Sequence, residues 1–225
     1  MLEAKKSVWF EQVFAVYNSN LIKRRFNSLQ ISGLDFLTAR DKNFPLLIYA
    51  NHSSWWDGLV AFQISREAKL DSFWLMEEKQ LLKLSLFRKL GAFSVVREKP
   101  REAIKSINYA AEILQKKTNR TVWIFPQGEI LPNDARPLQF YNGLAKIIEK
   151  AGNCFAVPVA LRFEFAGEFK PDIFVKIGKP EFFECEQNFA AKEMTAFFEK
   201  ELTETLDDLK TQILTKKTDN YKKII

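Results

Sequence analysis

The chain has 225 residues, with 34 Lys and Arg against 28 Asp and Glu, one histidine and a net charge of +6. That length allows one domain, or one domain with an appendage, and a sizeable core. Two cysteines, Cys154 and Cys185, do not make a disulfide framework; their thiols are expected to be reduced, and with a lone histidine they argue against a zinc site. A basic balance points to nucleic acid or an anionic membrane surface. No nucleic-acid-binding motif is present, and 21 phenylalanines tilt the balance towards membrane. No uncharged apolar run approaches the roughly 18 residues a spanning helix needs. Residues 1–6, with Glu3 and lysines, are not expected to begin a signal peptide.

In chain order, Val8, Trp9, Phe10, Val13, Phe14, Tyr17, Leu21 and Ile22 recur at helical spacing, flanked by five basic residues against Glu3 and Glu11. This predicts an amphipathic helix over 7–26, lying in a bilayer interface or on the protein's own core; both need the same stripe. Residues 27–40 read as a strand and turn broken at Gly33. The apolar run Phe44–Ala50 predicts a buried strand. A helix follows over 58–70, then a short strand at Phe73–Met76. Leu81, Leu82, Leu84, Leu86, Phe87 and Leu90 predict a basic helix, and Gly91–Val96 an apolar strand ending at Arg97. Residues 79–105 hold eight basic residues against Glu98 and Glu102, either a solvated helix face or a surface suited to anionic head groups or a phosphorylated or acidic acyl carrier. A helix over Arg101–Lys117, a strand entering Phe125, a loop after Gly128 and a helix over 140–151 come next. Strands are expected around Val157, at Phe163–Phe165 and at Ile173–Ile177, then a long helix over 189–215 with Phe189 on its apolar face. The tail from Lys216 reads as polar and basic with an apolar end. Strands alternating with helices predict an α/β fold: a mostly parallel or mixed central sheet flanked by helices.

The only histidine closes the Phe44–Ala50 strand. His52 stands five positions before Asp57 in Asn51-His52-Ser53-Ser54-Trp55-Trp56-Asp57-Gly58. A turn entering a helix lets the two fold back on each other. A carboxylate that holds one imidazole nitrogen leaves the other to take a proton from a substrate hydroxyl, so no serine or cysteine nucleophile is required. A second strand ends in Phe125-Pro126-Gln127-Gly128-Glu129, and a third contains Val157-Pro158-Val159. Trp55 and Trp56, between base and carboxylate, line a substrate channel or belong to the core.

The order His-x4-Asp, the strand ending in Arg97, Phe-Pro-x-Gly and Val-Pro-Val resembles the glycerolipid acyltransferases, the family of lysophosphatidate and glycerol-3-phosphate acyltransferases, over roughly residues 30–180. The residue patterns divide the chain into a membrane-associating helical segment at 1–26, an α/β core at 27–188 and a helix with basic tail at 189–225; the resemblance implies the α/β core with an amino-terminal helical part. It implies His52 as general base and Asp57 as its orienting partner. Substrate contacts would come from Arg97, Phe125, Pro126, Gln127, Gly128 and Glu129, with backbone N–H groups of Pro126–Glu129, proline excepted, receiving the oxyanion. The expected activity is transfer of a fatty acyl group from acyl-CoA or acyl carrier protein to a lipid hydroxyl, with 1-acylglycerol 3-phosphate as acceptor. No cofactor or metal is expected, and the expected location is peripheral, on the cytoplasmic face of a membrane. One departure bears on the acceptor. Where the family reads Phe-Pro-Glu-Gly-Thr-Arg, this chain has Gln127, Glu129 and Ile130. The arginine that helps bind the acceptor's phosphate is missing, Arg136 is the next cation along, and a neutral acceptor such as a glycolipid or carotenoid glycoside is the alternative.

Overall fold

The computed structural model describes residues 1–184 and 190–225; Cys185 and Phe189 lie outside them. Among the described residues, eight strands line up as one mixed sheet, and a ninth pairs on its interior. The strands are β1 (Ser28–Ser32), β2 (Leu46–Ala50), β3 (Asp71–Glu77), β4 (Ala92–Val95), β5 (Arg120–Ile124), β6 (Cys154–Glu164), β7 (Asp172–Ile177), β8 (Glu181–Phe183) and β9 (Lys222–Lys223). Their order is β4-β3-β5-β2-β6-β7-β1-β9, with β8 beside β6. The five from β4 to β6 are parallel, β7 turns antiparallel to β6, and β1 runs parallel to β7.

β2 is buried at all five positions, as a parallel strand covered on both faces should be. Its side chains alternate: Leu47 and Tyr49 enter the core beneath one sheet face, while Leu46, Ile48 and Ala50 enter the core on the other. The first core is closed by α5 (Pro100–Lys116), α6 (Gly143–Ala151) and α7 (Ala191–Leu214). The second is closed by α1 (Val8–Arg25) and α3 (Asp57–Glu67). Each fully buried leucine or isoleucine here contributes roughly 1.5–3 kcal/mol relative to exposure.

α1 begins at Ser7, whose hydroxyl accepts the Phe10 N–H, and ends in Lys23, Arg24 and Arg25, which suit the negative end of the helix dipole. It is not apolar on one face and polar on the other. Phe14 packs inward on Phe62 and Phe87, and Ile22 is buried. Val8, Trp9, Val13, Val16 and Tyr17 face outward and are exposed. Ahead of the helix, residues 1–7 lie along β4 and the segment before it: Leu2 exchanges hydrogen bonds with Ser94, and Lys6 Nζ meets Asp71 at 2.5 Å.

Several boundaries differ from expectation. The single basic helix expected before Gly91 is two pieces, α4 (Glu78–Lys83) and a 3-10 segment Ser85–Leu90, separated at Leu84, which leaves helical geometry. The break turns Phe87 against Phe14 of α1. A helical turn, α2 (Asp35–Thr38), follows β1. The stretches around Val157 and Phe163 are one strand, because β6 pairs with β2 along its first half and with β7 along its second. The tail adds β9 to the sheet edge at β1, and Ile224 and Ile225 pack on the core.

Candidate active site

β4, β3, β5 and β2 point their carboxyl ends the same way, the edge at which open α/β sheets bind ligands. In sheet order that edge carries Arg97 beyond β4, Glu77 at the end of β3, the Phe125–Glu129 turn beyond β5, and Asn51-His52 beyond β2. The apolar strands stop where their chain turns polar, so chemistry-bearing residues far apart in sequence arrive side by side.

The turn into α3 folds as the spacing predicts. His52 Nδ1 lies 2.8 Å from Asp57 Oδ2, and the same oxygen accepts the N–H groups of Ser53 and Ser54 at 2.7 and 2.8 Å. Asp57 is completely buried, while the His52 side chain is 22% exposed. An ionised carboxylate only accepts, so Nδ1 must donate, which fixes the tautomer with the Nε2 lone pair outward. Among the described residues, nothing bonds Nε2. The second oxygen, Asp57 Oδ1, is buried without a partner, a cost that the three donors on Oδ2 offset.

Neighbouring strands hold the imidazole in place. The Phe125 ring stacks on it at 4.7 Å between centroids. Gln127, expected to bind substrate, is 4% exposed and turned inward: its Oε1 accepts the His52 backbone N–H at 2.8 Å. The His52 carbonyl accepts the Leu131 N–H at 2.9 Å. The β2 and β5 loops are therefore tied to each other at His52 itself. Asn51, which the sequence reading passed over, bridges to β6: its Nδ2 donates to Leu161 O at 2.9 Å and its Oδ1 accepts Leu161 N–H at 2.8 Å. A polar residue closing an all-apolar strand was the available signal.

Gly128 adopts φ +72°, and a Cβ there would stand 2.3 Å from Arg97 Nη1. The left-handed backbone favours glycine, and a side chain there would have to push the Arg97 guanidinium aside. The Gly128 N–H is spent within the turn on Phe125 O at 3.0 Å, so it is not an oxyanion donor; those of Gln127 and Glu129 have no partner among the described residues. Arg97 lies across this turn, 5.4 Å from the Tyr141 ring centroid and 3.7 Å from Glu77 Oε2. Tyr141 is itself anchored by its N–H to Pro126 O at 3.0 Å. Glu77 and Tyr141 were also missed; Glu77 closes β3 as Arg97 closes β4. Glu129 and Ile130 are exposed. Arg136 does not reach this edge as a free cation: Asp207 on α7 and the carbonyls of Asn133 and Ala135 hold it.

Beyond His52 on the β6 side, a cavity of about 620 Å³ is lined by Arg25, Phe26, Ser53, Ser54, Trp56 and Phe163, among others. Trp56 packs edge-on against Phe26 at 4.9 Å, so it serves core and cavity wall together, whereas Trp55 is 56% exposed.

Strand ends that present a carboxylate-held imidazole beside a glycine turn form an α/β site able to take a proton from a substrate hydroxyl. The family model described as Acyltransferase matches residues 28–162, more than half of the chain, and the chain belongs to that family. Among solved structures it is similar to the 1-acyl-sn-glycerophosphate (LPA) acyltransferase PlsC from Thermotoga maritima, at 19% identity and a TM-score of 0.64, over 89% of this chain and 80% of that one. No similar sequence was found among curated proteins.

Proposed function

We propose that this acyltransferase moves a fatty acyl group from a thioester, acyl-CoA or acyl carrier protein, to a hydroxyl of a membrane lipid. The observation that carries the reading is the His52–Asp57 pair with Nδ1 occupied and Nε2 open. Nε2 takes the proton of the acceptor hydroxyl as that oxygen attacks the thioester carbonyl, and Asp57 stabilises the imidazolium that forms. The N–H groups of Gln127 and Glu129 are the donors available to the tetrahedral oxyanion. Collapse breaks the carbon–sulfur bond, and the thiolate leaves as thiol with the proton held on Nε2. No cofactor enters this sequence.

The acceptor named for the structural neighbour, 1-acylglycerol 3-phosphate, is one candidate here. A neutral lipid hydroxyl is the second, favoured by Glu129 and Ile130 at the turn. Attachment to the membrane is peripheral in this reading. Among the described residues no helix is long and apolar enough to cross a bilayer, while α1 turns Trp9, Val13, Val16 and Tyr17 outward and the neighbouring segments expose Leu82 and Leu86. The test is purified protein with acyl-CoA or acyl carrier protein and a panel of lysophosphatidate, monoacylglycerol and glycolipid, read by thiol release and by mass spectrometry of the lipid. Thioester hydrolysis without an acylated lipid would remove the reading.

A further inference from the structure

We infer that Glu77 is a specificity-determining residue that sets Arg97 against phosphate, so that the preferred acceptor has an uncharged head group. This rests on the acyl-transfer reading above and deepens it. Arg97 is the cation that reaches the turn beside His52, and it is already engaged. Glu77 Oε2 is 3.7 Å from its Nη2, with both side chains about one-quarter exposed. Its Nη1 is pressed against Gly128, and Tyr141 covers it at 5.4 Å. Two other arginines on this side are paired, Arg136 with Asp207 and Arg162 with Asp134 and Glu164, whereas Arg25, on the wall of the cavity beyond His52, stands apart from the Phe125–Glu129 turn that Arg97 crosses. A phosphate entering here would have to draw Arg97 from its carboxylate and then sit beside Glu77, with Glu129 exposed one residue beyond Gly128. Replacing one anion by another at a half-desolvated guanidinium gains little, and the remaining like charge opposes it. A hydroxyl-rich neutral head meets no such penalty and finds both donor and acceptor in the pair. Glu77 thus acts through Arg97 rather than on the reacting atoms.

The experiment compares kcat/KM for 1-acylglycerol 3-phosphate and for 1-acylglycerol of the same chain, in the same neutral micelles with one acyl thioester. Wild type is expected to use the neutral lipid at least as well as the phosphate-bearing one. Glu77→Gln should raise the phosphate-to-neutral ratio about tenfold, chiefly through KM of the phosphate-bearing lipid. Glu77→Asp, which keeps the charge, should stay near the wild-type ratio, and with Arg97→Leu already present Glu77→Gln should shift it less. An unchanged or lowered ratio in Glu77→Gln overturns the inference, as does a wild type that prefers the phosphate-bearing lipid tenfold. A readout that needs no variant is glycerol 3-phosphate as inhibitor of wild-type acylation of the neutral lipid: no competition is expected up to about 10 mM, and competition well below 1 mM overturns the inference. Transfer to neither acceptor overturns the parent reading and this one with it, whereas transfer with an unchanged ratio removes only the role of Glu77.

Discussion

Asp57 shows how much a single buried carboxylate oxygen can organise. One atom fixes the backbone of the Ser53-Ser54 turn, the imidazole orientation and its tautomer. Losing it removes geometry and charge together. His52→Ala is expected to lower acyl transfer by at least about a hundredfold, the usual worth of a positioned general base. Asp57→Asn should cost a comparable factor, since an amide oxygen can still accept from Nδ1 but no longer offsets the imidazolium charge. Thiol release with saturating donor and acceptor measures both, with circular dichroism melts to show that the variants are folded. A His52→Ala protein turning over near the wild-type rate would end the proposed mechanism. Cys154, by contrast, is buried and its thiol is pushed up to about 12 by desolvation, which makes it an inert packing group rather than a nucleophile.

Among the elements, α1 carries apolar side chains on opposite sides for separate reasons. Phe14 and Ile22 close the core over α3, and the outward row Val8, Trp9, Val13, Val16 and Tyr17 remains in solvent. Apolar periodicity alone could not divide these sets, because both satisfy helical spacing. The outward row is the expected bilayer contact, with Lys23, Arg24 and Arg25 at its end supplying attraction to anionic lipid that salt screens. Wild-type protein should sediment with anionic vesicles at low salt. Trp9→Glu with Val13→Glu should weaken that binding roughly tenfold or more while leaving the thermal midpoint nearly unchanged, as both positions are exposed. A wild type that stays in the supernatant, or a double variant that binds equally well, would count against α1 as the contact.

For the whole molecule, the loop after the Phe125–Glu129 turn is tied to both β6 and α7. Asp134 meets Arg162 at 2.9 Å and Lys210 at 3.1 Å, and its carboxyl is lowered to about 2, first by the Arg162 hydrogen bond and then by that from Lys210. A carboxylate with a depressed folded pKa contributes stability above its unfolded value, near 4, and loses it as pH falls through about 2. Asp134→Asn should therefore lower the melting midpoint at pH 6, by a modest amount because Asp134 is half-exposed, and the difference from wild type should close between about pH 4 and 2. A difference that persists below pH 2 would mean that Asp134 acts by packing rather than by charge.

Local pattern was enough for what depends on local pattern. The buried strand of β2, its polar end at His52, the turn that lets Asp57 reach back, and the alternation of strand and helix follow from burial and spacing within a few residues of one another. So did the mixed α/β class and the family resemblance. Elements whose form depends on distant partners were not legible. β9 and β8 exist because β1 and β6 offer them an edge, and the basic helix before Gly91 breaks where α1 receives Phe87. At the site, the family resemblance placed Gln127 towards substrate, but its amide reaches across to the His52 N–H, and Arg136 was claimed by a helix some seventy residues later. Glu77 beside Arg97 was decided by strand order, since parallel neighbours bring together chain ends that sequence separates. Hydrophobic periodicity reports which side of an element is buried; only the packed sheet decides which charge stands next to which.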